Sequence, residues 1–587
     1  MSADPPHGDR LSDLLDLARR APEELGARIE RLTLAEKVEL ALRAPPARRL
    51  ELLLHARRPR DVVRALPDAE LYLTVREIGP ADAMPLLALA STEQLLHMLD
   101  LESWRADRFD AERAGAWIAL VLEADERAVG RLLGALDDEV LALLVHRWMR
   151  IVPIERDAAD VGGTGISESG DERGHVTPDG HYRFSPSIHE HAPAIRRILQ
   201  ILFVEHPERY GRVLWQSLWE LSAELEEQGL QWRQSRLEEH GYPSGEEALA
   251  LYAPPTGKKK VDAPALPAGG APVAVLRAGR ARGVPAPAVD ALAGDVRDRV
   301  LFEFVALANR VLVANAGDAG DPAAHRAAIE TAAGYVTIAL ETRDAPTPAR
   351  AASVLAEVST IELFREGYAR AAELGARARA LVRSGWAKVH ARALDLLDSP
   401  IRECVEGLLE PRPGTARKAS FASLAEIEEA RASLAMAEVV GRCLIDGAGF
   451  DANRLLRTGV DLPPQGYRLS TALLTLLAWH ATRQTMSSES VPVDVAADFV
   501  RTIASRRTSG PEAGQRALDR LVQRLAQDQR LEPREIAVLQ AFGRFCLERL
   551  ADECGDLDPG VPLDPRGVAC LLLEWGQTPM QYNARHG

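Results

Sequence analysis

Residues 175–191, HVTPDGHYRFSPSIHEH, place four imidazoles in one short stretch. Imidazole is a ready ligand for zinc and similar divalent ions, and beside carboxylates it titrates in the physiological range. Within the stretch, TPDG is a tight-turn sequence: proline suits the second turn position, and Gly180 can take the left-handed conformation that follows. Across such a turn the expected register sets Thr177 opposite His181, Val176 opposite Tyr182 and His175 opposite Arg183, so that His175 and His181 share a face. His189 and His191 flank Glu190 and share a side only where the chain is extended. The candidate metal ligands are therefore His175, His181, His189 and His191, holding zinc or another divalent cation. Their spacing is not HExxH, in which imidazoles four apart on a helix meet one zinc. Glu220, Glu224 and Glu227 are candidate carboxylates further on, but nothing in the sequence draws them to the hairpin. The plainer reading is a solvent-facing hairpin that leads into a helix and binds no cofactor.

Little else suggests chemistry. There is no GxSxG elbow, no glycine-rich dinucleotide fingerprint after a strand and no kinase motif set. The GGTG at 162–165 is followed by no GK[ST] and is not a phosphate loop. Asp100, Asp107 and Asp110 lack the glycine turn of a calcium-binding loop, and helix capping is the reading they favour. The five cysteines contain no CxxC pair, which fits reduced, buried and inert thiols in a cytoplasmic protein. Trp215 and Trp219 lie four apart with Leu218 between them, as a core or partner contact would. The net charge is −15, and residues 155–252 hold 18 acidic against 9 basic side chains. Such a segment attracts a cation or a basic partner and repels nucleic acid. The basic RAGRARG at 277–283 has no interleaved aromatics to make it a nucleic-acid contact.

The elements that must carry these residues read as helices. Aromatics make up only 5% of the 587 residues, and strands favour aromatic and β-branched side chains. Four windows, PARRLELLL (46–54), PDAELYLTV (67–75), STEQLLHML (91–99) and DDEVLALLV (137–145), each open on a helix-starting residue. Each then sets an apolar residue four and eight positions on: Leu50 and Leu54, Leu71 and Val75, Leu95 and Leu99, Leu141 and Val145. Helices of about nine residues are marginal alone, because nucleation costs more than a few hydrogen bonds return. They must stack on neighbours, which is the logic of a helical repeat. Residues 253–285 are Pro-, Gly- and Ala-rich, a linker composition. LSTALLTLLAWHAT (469–482) is too short to cross a bilayer, and the first residues show no secretory pattern.

The expected architecture is all-α: an N-terminal superhelical array of short helices, a small β-hairpin near 175–184 and a C-terminal multi-helix region. The expected segments are 1–152, a helical-repeat domain; 153–252, loop, hairpin and acidic helix; 253–285, linker; and 286–587, one or more helical domains. RALPDAEL and GALDDEVL in residues 33–150 resemble the helical N domain of MgtE-type magnesium transporters, a likeness that carries over no ion-binding residue. More broadly, DLESWRADRFD, TPDGHYRF and WRQSRLEEHGYPSGEEALALY resemble an uncharacterised bacterial family of large helical proteins, which implies the fold and leaves the activity open. The function expected is a non-enzymatic cytoplasmic scaffold or adaptor that binds another protein, without nucleic acid and without membrane insertion. The alternative is a divalent-metal protein, a sensor or hydrolase, built on the 175–191 histidines.

Overall fold

The computed structural model describes residues 29–44, 46–105, 107–154, 175–187, 192–255, 285–292, 294–317, 321–345, 347–409, 421–458, 466–504, 510–554 and 568–574. Helices dominate them, as expected. The chain forms two compact units that divide inside one long helix, the first running to Gly367 and the second from Tyr368.

In the first unit the short helices follow one another closely: Leu34–Arg43 (α1), Pro46–Leu54 (α2), Pro59–Arg64 (α3), Asp68–Ile78 (α4), Met84–Leu89 (α5) and Thr92–Glu102 (α6). After a two-stranded turn, Trp104–Arg105 (β1) with Arg108–Phe109 (β2), come Ala111–Ala124 (α7), Glu126–Ala135 (α8) and Asp138–Trp148 (α9). Each packs on its near neighbours, α4 on α6, α5 on α7, and α8 on both α6 and α7. Three of the four apolar pairs are buried as expected: Leu71 and Val75, Leu95 and Leu99, Leu141 and Val145. The first is not. Leu54 is 39% exposed, while Leu52, Leu53 and Arg49 face inward. The cause is Arg49, whose guanidinium donates to the carbonyls of Ala41 (2.9 Å) and Leu42 (3.3 Å) and so satisfies the open C-terminal end of α1.

The caps also divide. Ser91 forms a capping box with Gln94, and the Gln94 amide reaches back to the carbonyls of Val63 and Leu66, both at 2.9 Å. Asp110 caps α7 through the Arg113 amide (3.1 Å). Asp137, expected to cap α9, makes no cap bond, because Arg236 takes its carboxylate.

Met149–Pro153 (β3), His175–Val176 (β4) and Tyr182–Pro186 (β5) form a three-stranded antiparallel sheet in the order β3-β5-β4. Helices Ala192–Glu205 (α10), Pro207–Trp219 (α11) and Ser222–Glu239 (α12) follow, with Pro207 opening α11. Gly241, at φ +83°, turns the chain after α12. Gly245–Leu249 (α13), Pro285–Asp290 (α14), Gly294–Ala314 (α15), Pro322–Thr342 (α16) and Pro348–Glu357 (α17) lead to Thr360–Ser384 (α18), in which the units divide. Residues on both sides of the linker stretch belong to the first unit: Tyr252 donates to Asn315 at 3.0 Å. Leu73 of α4 packs against Val305, Ala308 and Ile329 of α15 and α16. A Cβ on Gly367 would meet the Tyr335 carbonyl at 2.0 Å, so only glycine lets α16 and α18 approach this closely.

The second unit contains Ile401–Leu409 (α19), Leu424–Gly441 (α20), Ala452–Leu455 (α21), Leu469–Arg483 (α22), Val493–Phe499 (α23), Gly510–Gln529 (α24) and Pro533–Cys554 (α25); α22 packs on α23, α24 and α25, and α20 on α19 and α25. Residues Leu469–Ala478 of α22 are all buried. No helix among the described residues is long and apolar enough to cross a membrane.

One buried ion pair holds α12 to the array. Arg236 donates in two prongs to Asp100 (2.7 and 2.8 Å), and the Asp100 side chain is 5% exposed. Asp100→Ala should destabilise the first unit by about 3 kcal/mol, because Arg236 loses its two-pronged, most buried partner and keeps only Asp137. Asp100→Ala with Arg236→Met should recover much of that loss. Urea unfolding midpoints of the wild type, both single variants and the double variant measure the coupling.

Candidate functional site

The hairpin forms with a register one residue away from that expected. His175 lies opposite Phe184 and Val176 opposite Arg183. The Thr177 amide donates to the Tyr182 carbonyl (2.9 Å), and the Thr177 hydroxyl and the Tyr182 amide are also in contact (3.0 Å). The Thr177 side chain thus closes the loop around Pro178–His181, which leaves His181 in the turn and off the ladder. His175 stacks on Phe184, with ring centroids 5.3 Å apart, and its Nδ1 accepts from Arg196 at 2.8 Å. That bond leaves only Nε2 open and sets a fixed positive charge beside the imidazole. His181 is exposed, and its backbone amide donates to Asp179. His189 and His191 lie outside the described residues. Among the described residues, neither His175 nor His181 belongs to a group of three close metal-ligating side chains.

A cleft of about 710 Å³ opens beside β1 and β2, lined by Arg105, Phe109, Asp110, Arg147, Trp148 and Glu226 among others. Two of its three carboxylates, those of Asp110 and Glu226, are engaged. Asp110 holds Arg105 (3.1 Å) and caps α7, while Glu226 holds Arg147 (3.3 Å) and accepts the Phe109 amide (2.7 Å).

The exposed face of α11 is the more telling feature. Its inner face buries Tyr210, Val213 and Leu214 and packs on α9. Arg209 locks that contact, donating to Asp138 (2.7 Å) and to the carbonyls of Leu133 and Gly134 (2.8 Å each). The opposite face presents Trp215, 56% exposed, and Trp219, 69% exposed, with Leu221 just beyond at 66%. Trp232 of α12 is 50% exposed. The spacing of Trp215 and Trp219 is visible in the sequence, but their outward direction is not, since α11 also carries a second, aliphatic face. Glu224 and Glu227, exposed on α12, do not approach the hairpin imidazoles within hydrogen-bonding or ion-pair distance.

A second cluster was hidden from sequence reasoning altogether. Helix α6 is buried almost all round, from Gln94 to Glu102, and takes His97 inside with it. His97 is 2% exposed, and neither of its ring nitrogens has a hydrogen-bond partner. Its ring lies 4.3 Å from that of His240 and 6.2 Å from that of Tyr242, which in turn meets His325 at 6.3 Å. His240 Nδ1 stands 3.4 Å from Asp68. The four rings come from α6, from the end of α12 and the turn after it, and from α16, residues far apart in the chain. Burial first, and then the neighbouring imidazoles of His240 and His325, hold His97 well below its ordinary pKa. It is therefore a neutral, packed imidazole.

Architecture and site together define a largely helical protein with interior polar pairing and an aromatic outer face. The chain belongs to the family of unknown function DUF6178, whose model matches residues 26–574. No curated protein and no solved structure matches it.

His97 makes stability depend on pH with a definite sign. The unfolded chain takes up a proton on this residue as pH falls through about 6.5, whereas the folded chain resists it. Below that pH the unfolded state binds more protons, so stability falls with acidification by up to about 1.4 kcal/mol per pH unit; above it the contribution is flat. Urea midpoints measured from about pH 5 to about pH 7.5 should show this limb. His97→Leu should make it shallower.

Proposed function

We propose that the chain is a non-catalytic scaffold or adaptor that binds another protein through the tryptophan-bearing face of α11 and the acidic helix α12 after it. The observation that carries this reading is the exposure of Trp215 and Trp219 on a helix whose other face is already buried and locked. Indoles that the fold does not use are costly to leave in water, and exposed apolar patches rimmed by polar groups mark interaction sites. Tryptophan is also among the residues that dominate binding energy at protein interfaces. The surrounding acids, Glu220, Glu224 and Glu227, select a partner with an apolar ridge bordered by lysine or arginine, and repel nucleic acid.

Five free cysteines suit a reducing cytoplasm. The likeness of residues 33–150 to the helical N domain of MgtE-type transporters supports the same role, a wall of stacked helices offered to a partner. It brings no magnesium chemistry.

The test is affinity capture with the full chain from its own host, comparing wild type with Trp215→Ser/Trp219→Ser. A specific partner should bind the double variant at least about 30-fold more weakly, because two hot-spot indoles are lost. Its affinity for the wild type should also weaken with added salt. The reading fails if no partner depends on these tryptophans while far-UV circular dichroism is unchanged, or if the chain turns over a substrate.

A further inference from the structure

The second unit holds a cluster that sequence spacing does not reveal. Cys554 is the last residue of α25, and Cys570 lies in the segment 568–574 that returns against the same unit. The two sulfurs stand 3.9 Å apart, and both residues are buried, at 2% and 3% exposure. Glu553 sits beside Cys554. One of its oxygens, Oε1, accepts the backbone amides of Ala569 and Cys570 (2.9 Å for the latter), which aims the carboxylate at the pair. Ligand atoms of Glu553, Cys554 and Cys570 all lie within 4.8 Å of one another. This is the one such three-residue group among the described residues.

We propose that Glu553, Cys554 and Cys570 form a binding site for a thiophilic divalent cation, zinc above all. Two thiolates about 2.3 Å from one tetrahedral ion stand about 3.8 Å apart, which is the separation found here. A disulfide would need the sulfurs at about 2.05 Å. The carboxylate keeps Oε2 for the ion while Oε1 stays on its amides, and those amides are the outer contacts that orient a ligand. Water completes the tetrahedron. The thiols give up two protons as the ion binds, so two thiolates and one carboxylate carry three negative charges against its two positive ones.

The consequence is mechanical. Segment 568–574 is already seated by burial of Val568, Leu571, Leu572 and Leu573 and by backbone bonds. Val491 donates to the Leu572 carbonyl (2.7 Å), Glu574 donates back to the Val491 carbonyl (2.9 Å), and the Leu572 amide donates to the Thr475 hydroxyl (2.9 Å). An ion shared by Cys554 and Cys570 would clasp this segment to the end of α25. The proposal is independent of the tryptophan face and of the hairpin histidines.

The test uses the full chain, purified under reducing conditions and titrated with Zn²⁺, and with Co²⁺ as a spectroscopic stand-in. About one equivalent should bind, and cobalt should show thiolate charge-transfer absorption with intense tetrahedral d–d bands. Cys570→Ser should weaken binding at least about 100-fold, since even the loss of an outer contact costs 10–100-fold. Cys546→Ser, at a buried thiol outside the cluster, should bind as the wild type does. Hydrogen exchange on the wild type gives a readout that needs no variant: residues 568–574 should be more protected with Zn²⁺ than with a chelator. Absence of zinc or cobalt binding, binding unchanged in Cys570→Ser, or a Cys554–Cys570 disulfide in the freshly purified chain would each overturn the proposal.

Discussion

Asp100 and Arg236, far apart in the chain, meet as a buried two-pronged ion pair on which the first unit's arrangement depends. Arg236 also engages Asp137, and Arg233 donates to the Asp100 carbonyl (2.8 Å) while its guanidinium lies over the Trp104 ring at 5.7 Å. One turn of α12 is thereby tied to α6, to the start of α9 and to the β1 turn. The reason lies in α6. A helix of eleven residues buried on nearly every side takes its polar residues inside too, and apart from the neutral His97 each of Gln94, Asp100 and Glu102 finds a partner. Gln94 finds the open end of α3, Asp100 finds Arg236, and Glu102 finds the Tyr72 hydroxyl (2.8 Å) and Arg113 (2.6 Å). Such pairs contribute less to net stability than apolar residues of similar volume would, but they discriminate strongly between right and wrong neighbours. A stack of short, Leu-rich helices has many nearly equivalent packings, so that discrimination is what it most lacks.

The second unit uses the same device on different residues. Its central helix α22 is buried from Leu469 to Ala478, and Ser470 is carried inside. Asp398 accepts the Ser470 amide (3.0 Å) and hydroxyl (2.5 Å), and Arg549 of α25 closes the group at 2.5 Å. At the other end of the unit, Trp386 donates to the Ala437 carbonyl (2.8 Å) across a gap that only glycine permits, since a Cβ on Gly441 would meet the indole at 2.0 Å. In both units a greasy central helix is registered by one buried carboxylate and an arginine from a later helix.

This division explains what could be read from the residues alone. Helices and their starts are local, so the pairs Leu71/Val75 and Leu95/Leu99 and the helix start at Ser91 were legible. The first window failed because Arg49 was needed at the end of α1, a demand set by another helix. The hairpin register slipped by one because the Thr177 side chain took over a bond that a backbone-only turn would have made itself. Asp137 was read as a cap because nothing nearby shows that Arg236 will claim it. The His97, His240 and His325 cluster and the Cys554–Cys570 pair were illegible for a related reason: periodicity says which face a residue occupies on its own element, and never which distant face it will meet. The spacing of Trp215 and Trp219 was plain, but α11 has two apolar faces, and only packing on α9 decides which is inside.

That choice bears directly on the proposed function. Had the indoles turned inward, Tyr210, Val213 and Leu214 would have been left in water, and the Arg209 bonds to Asp138 and to the end of α8 would have been lost. The aliphatic face wins because it fits α9 and brings its own polar lock, so Trp215 and Trp219 are free of any duty in the fold. A pair of exposed indoles on a firmly held helix invites indiscriminate association, and the negative charges of Glu220, Glu224 and Glu227 oppose it. On the proposed reading, aromatic surface would supply binding energy and the acids selection: a partner without basic groups at the rim would desolvate those carboxylates for nothing. The fold thus keeps the interactions that specify the structure around α6 and α22 and leaves Trp215 and Trp219 of α11 largely exposed, which is the arrangement the proposed function needs.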